Sequence, residues 1–186
     1  MQHYEFQRRL KTVYDKAVAT YGRGERNVNM FFDRTELEFL RAIGATPMEI
    51  YDYAEDLNSD GEPDWETVLL VQAIRRDYFL QVQGGAFSQT TLSEAAFPAR
   101  EDEIEGISWL PRLILKARSK LKGELPEDLM YVCGGDRKFF REHDIHPAEF
   151  LHLTWSHLDN DAAIVRWVLE RSGRPLSVPD PQFPKS

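Results

Sequence analysis

Seven apolar residues (Phe6, Leu10, Val13, Tyr14, Ala17, Val18 and Tyr21) recur at three- and four-residue spacings near the start of the chain. That period lines them along one face of a helix. The chain is therefore built, from its first segment, to bury helices rather than strands. Arg23-Gly24 closes this helix, and new starts follow at short intervals. Asp33 with Glu36, or Thr35 with Glu38, forms a capping box ahead of Leu37, Phe39, Leu40 and Ile43, and Gly44 ends that helix. Thr46-Pro47 is an N-cap followed by proline at the first helical position, so a third helix runs through Ile50, Tyr51 and Ala54. Asp64 caps a fourth, over residues 65 to about 79, whose Val68-Leu69-Leu70-Val71 run is apolar on nearly every side and predicts a buried central helix. A short strand near YFLQVQ is the main alternative to the end of that helix, since short apolar runs are ambiguous.

Residues 84–106 are rich in Gly, Ser, Thr and acid and read as a linker, with Phe87, Leu92 and Phe97 lying against the folded body. Beyond it the pattern restarts. Shifted by 100 residues, Leu10 meets Leu110, Lys16-Ala17 meets Lys116-Ala117, and Phe39, Arg41, Pro47 and Glu49 meet Phe139, Arg141, Pro147 and Glu149. TPMEIYDYA and HPAEFLHLT are matching helix starts. The expectation is an all-α protein of two related helical modules, residues 1–83 and 107–174, related by internal duplication and packed into one compact body. The four prolines after Gly173 make residues 175–186 an extended tail.

A single cysteine, Cys133, excludes an intramolecular disulfide and suits a reducing compartment. No apolar run approaches the roughly 20 residues of a membrane span, and the N-terminus lacks a secretory h-region; a cytoplasmic protein is expected. The net charge of −8 is uneven: residues 1–107 hold 11 Lys/Arg against 20 Asp/Glu, and residues 108–174 hold 11 against 10. An acidic first half disfavours nucleic acid, whose phosphates call for clustered cations.

The stretch DLNSDGEPDWET opens like a calcium loop, with Asp56, Asn58, Asp60 and Asp64 at ligand positions. Position 12, where such a loop needs a bidentate glutamate, is Thr67, and Pro63 sits inside. A connector is expected, with Asp64 acting as an N-cap. Glu149 and His152 have the i, i+3 spacing of helix-borne metal ligands but lack the partner pairs such sites use. No metal and no cofactor is expected. The other polar candidates are Cys133 beside a glycine pair, with Asp136 as the N-cap of the next helix; His143 and His146; and Arg75, Arg76 and Tyr78 at the end of the central helix. The two arginines are the preferred place for a small anionic ligand. The helix over 110–122 mixes Arg112, Lys116, Arg118, Lys120 and Lys122 with an apolar stripe, and is read as buried on that stripe and solvated elsewhere.

The runs I-x-W-L-P-R-L-I-x-K-A-R, L-x-G-E-L-P-E-D, D-R-x-F-F, I-x-P-A-E-F-L and I-V-x-W-V over residues 107–173 resemble the bacterial family known as domain of unknown function 5069. The resemblance implies a helical fold and a bacterial cytoplasmic setting, and carries no activity. The functional expectation is a non-catalytic helical protein that binds a protein partner or a small ligand. The alternatives are an enzyme or metalloprotein with its site between the modules, and nucleic-acid binding through the 110–122 helix. The oligomeric state is left open.

Overall fold

A computed structural model describes residues 3–173; the predicted tail lies outside them. Its helices are α1 (Phe6–Gly22), α2 (Arg34–Ala42), α3 (Pro47–Asp60), α4 (Trp65–Gln81), α5 (Leu110–Lys122), α6 (Gly134–Glu142), α7 (Pro147–Ser156) and α8 (Asp161–Arg171). A two-residue antiparallel ladder, β1 (Glu103–Ile104) with β2 (Ile107–Ser108), is the only sheet among the described residues. The fold is all-α.

Local chemistry accounts for most helix ends. The Asp33 side chain accepts from the Glu36 amide while Glu36 bonds back to the Asp33 amide, so the first of the two alternative capping boxes forms. Thr46 and Glu49 make the same reciprocal pair ahead of Pro47. Asp64 accepts from the Thr67 amide and caps α4. No strand forms there: α4 continues to Gln81, with Tyr78 and Phe79 both buried on it, and Val82 is its C-cap.

The two halves keep one order and one register. α1 packs on α3 and α4 in the first half, and α5 packs on α7 and α8 in the second. α2 and α6 each have nine residues and end at Ile43 and His143, whose backbone angles are nearly identical. Gly44 and Asp144 follow, both left-handed at φ 71° and 52°. Each half has its own core, and α4 joins them: Val68 packs with the first core, Val71 and Tyr78 with the second. α4 also packs against α5 and α7.

The stretch expected to be a linker is partly structured and docked. Phe87 meets Phe79 at 5.0 Å between ring centres, the Leu92 amide bonds to the Glu124 carbonyl, and Phe97 is buried beside Arg112. Glu105 and Gly106, both at positive φ, make the tight turn between β1 and β2.

Candidate functional site

The first turn of α3 meets the last turn of α5 at a cavity of about 490 Å³, bordered by α3, by the loop 123–131 that follows α5, and by Val28, Asn29 and Thr91. Its polar centre begins with a capping residue. Glu49 reaches the Thr46 amide with one carboxylate oxygen and accepts from Lys120 Nζ, 2.9 Å away, with the other. Lys120 is only 2% exposed, and its ammonium lies 5.7 Å from the centre of the buried Tyr53 ring. Burial raises the Glu49 pKa, but Lys120, Arg75 and the Thr46 amide outweigh it and hold the carboxyl below the usual range. Burial likewise pulls the Lys120 ammonium below the ordinary lysine value, against the attraction of Glu49.

Asp52 lies one turn along α3 and borders the same cavity. It accepts no hydrogen bond and makes no ion pair with the described residues. Desolvation, with Glu49, Glu55 and Asp56 nearby, pushes its pKa up to about 7 in spite of Lys120. The cavity therefore holds one neutralised ion pair and one carboxyl poised near neutrality. Apolar side chains, among them Met48, Leu125, Leu129 and Met130, form much of the remaining wall.

Arg75 sits behind this wall. It is wholly buried, and its Nη1 donates to the Leu121 carbonyl and to Gln83, whose amide donates in turn to the Lys122 carbonyl. These are terminal carbonyls of α5, where a cation opposes the helix dipole. Arg76 is turned elsewhere, against the Phe6 ring and Asp77, and Tyr78 packs edge-on to Trp155. Both arginines favoured in the sequence for an anion are buried in the body of the fold, and Arg75 Nε and Nη2 have no hydrogen-bond partner among the described residues.

The remaining candidates are dispersed. Asp136 is not the N-cap of α6; Cys133 holds that position, and Asp136 turns inward to accept from Lys116 Nζ (2.5 Å), the Trp109 indole and the Val132 amide. Those three donors pull the carboxylate under the helix start. Cys133 Sγ is 3.2 Å from the same ammonium. His143 bonds to Ser172, and His146 caps α7 through Nδ1. Glu149 faces Arg171, while His152 is exposed beside Trp155. In the calcium-like loop Asp56 and Asp60 both pair with Arg137, Glu62 pairs with Arg137 and Arg141, and Asn58 bonds to the Val18 and Ala54 carbonyls. That loop ties α3 to α6. The helix over 110–122 is likewise less solvated than expected, since Arg112, Lys116 and Lys120 are all buried and Arg118 pairs with Asp161.

Phe97, Ile107 and Val132, together with the buried face of α5, mark out the body of the second half. Residues 97–178 match the family described as Domain of unknown function (DUF5069). The C-terminal module belongs to that family. The DUF5069 segment begins ahead of the β1–β2 turn, so the docked end of the expected linker is part of it. It contributes Lys120, Leu125, Met130 and Tyr131 to the cavity, while Glu49, Asp52 and Tyr53 come from outside it. No curated protein and no solved structure matches the chain. No helix among the described residues is long and apolar enough to cross a membrane.

Sequence reasoning missed Glu49, Asp52, Tyr53 and Lys120 as a group. One signal was present. Lys116 and Lys120 fall at the same three- and four-residue spacings as Leu113, Ala117 and Leu121, on the buried stripe rather than opposite it.

Proposed function

We propose that this protein binds a small organic molecule, without catalysis, in the cavity between α3 and the end of α5. One observation carries the reading: a cavity of about 490 Å³ whose largely apolar wall holds the Glu49–Lys120 pair and an Asp52 with no hydrogen-bond or ion-pair partner among the described residues. Ligand sites of about 300–1,000 Å³ combine apolar walls with a few placed polar groups in this way. The cavity draws its wall from both halves, so an occupant would contact both.

The test is ligand-observed NMR of a fragment mixture against the full chain and against Leu129→Trp, which sets an indole in the cavity wall. Fragments that bind the parent and are lost from the folded variant support the reading. A protein that binds none, or a variant that binds them equally, ends it. An enzymatic role is the second reading, favoured by the Asp52 carboxyl near 7 beside a lysine with a lowered value, a pairing suited to proton transfer. Fragments recovered chemically unchanged after long incubation speak for binding, and altered ones for catalysis.

A further inference from the structure

The charges around the cavity are unbalanced. Among the described residues three carboxylates border it, Glu49, Asp52 and Glu127, and Lys120 is the one cation in that lining. Lys120 and Glu49 satisfy each other at 2.9 Å. Glu55 and Asp56 add negative charge on the same helix as Asp52. Arg75 lies behind Gly123, its Nη1 held by the Leu121 carbonyl and Gln83 and its Nε and Nη2 without a hydrogen-bond partner among the described residues. Asp52 is left bordering the cavity with no donor of its own from the described residues, and desolvated carboxylates are costly unless paired. Met48, Leu125 and Met130 supply an apolar surface within the same space.

We infer that the cavity takes a small organic cation, its ammonium set on the Asp52 carboxylate and its apolar body against Met48, Leu125 and Met130. This rests on the small-ligand reading above and adds the ligand's chemical class. The ammonium supplies the missing donor and offsets the surplus negative charge; an anion of the same shape meets Asp52 and Glu127 and is repelled. Occupation also favours the ionised form of Asp52, so binding strengthens as pH rises through its titration. Glu49, Glu55 and Asp56 on α3, Lys120 on α5, Glu127 in the following loop and Arg75 on α4 set where that titration falls.

The experiment uses the full chain carrying ¹³C-methyl methionine, with phenethylamine, phenethyl alcohol and phenylacetate as probes of similar size and different charge. Met48 and Met130 report on the cavity, their signals assigned through Met48→Leu and Met130→Leu. Phenethylamine is expected to shift both signals with at least about ten-fold higher affinity than the alcohol; phenylacetate is expected to leave them in place. The preference should be lost in Asp52→Asn. In the parent it should grow between about pH 5 and about pH 8 as the carboxylate forms, which tests the inference without any variant. Equal affinity for amine and alcohol, tighter binding of phenylacetate, or a preference kept in Asp52→Asn overturns the cation inference and leaves the small-ligand reading standing. If no probe moves either methyl signal, both fall.

Discussion

Asp52 and Asp136 show what burial does to a carboxyl with and without partners. Asp52 has none among the described residues, and its pKa is raised from 3.8 to about 7 by desolvation and three neighbouring carboxylates. A folded value above the unfolded one means that the native state holds the proton longer. This contribution therefore favours the fold most below about pH 4 and is lost as pH rises towards 7. Asp52→Asn should remove the penalty: chemical denaturation is expected to show the variant gaining on the parent across that window, by on the order of 2 kcal/mol at pH 8. A constant difference between the two proteins from pH 4 to pH 8 would contradict it. Asp136 is fully buried and accepts three hydrogen bonds, one from Lys116, itself 1% exposed. Asp136→Ala strands that ammonium and should cost about 3–5 kcal/mol. Lys16 and Glu36 occupy the corresponding places in the first half, also 2.5 Å apart, but Lys16 is 40% exposed. Glu36→Ala should lose about 1–2 kcal/mol, mostly for the capping box. Equal losses at the two sites, measured by urea unfolding, would show that burial is not what separates them.

At the level of the element, the turn between α2 and α3 and its counterpart between α6 and α7 solve one geometric problem with different residues. Both need a left-handed residue after the helix. Gly44 meets this without strain, and a Cβ there would lie 2.4 Å from Phe79 Cγ. Gly44→Ala should therefore destabilise by more than about 2 kcal/mol, combining a disfavoured φ with overpacking. Asp144 already carries a side chain at φ 52°, and Asp144→Gly should be neutral or stabilise by about 0.5–1 kcal/mol. Thermal melts of the two variants should move in opposite directions or differ several-fold in size. The helix starts were legible because each depends on residues within one turn: Thr46 with Glu49 and Asp64 with the Thr67 amide are local bonds. Asp136 looked like another such cap, but its contacts to Lys116 and Trp109 lie 20 and 27 residues away and draw it inside.

Across the whole molecule, α4 decides whether the halves behave as one. Its Val68 belongs to the first core and its Val71 and Tyr78 to the second, so neither core is complete without it. Further ion pairs cross between the halves: Lys120 to Glu49, Arg137 to Asp56, Asp60 and Glu62, and Arg141 to Glu62. The full chain should unfold in a single cooperative transition. A fragment of residues 84–186, although it contains the whole DUF5069 segment, should expose the surface that α4 covers and show no cooperative melt. A fragment melting as sharply and as high as the full chain would show that α4 is dispensable to the second core. The same ties explain why the calcium-like loop is a strut: its acids neutralise arginines some 80 residues further along, at separations of 77 to 81.

By itself the sequence determined the helical class and the positions of Gly44, Pro47, Asp64 and Pro147 at helix boundaries. These depend on apolar periodicity and on bonds between residues three or four apart, which any short window contains. The tertiary structure decided which charges are buried and which cavity they border. Glu49 and Lys120 are 71 residues apart in the chain, and nothing local to either says that the capping glutamate of α3 also receives the ammonium of α5. That pairing, and the isolation of Asp52 beside it, follows from how α5 is turned against α3 and α4, a property of packing between elements rather than of any one of them.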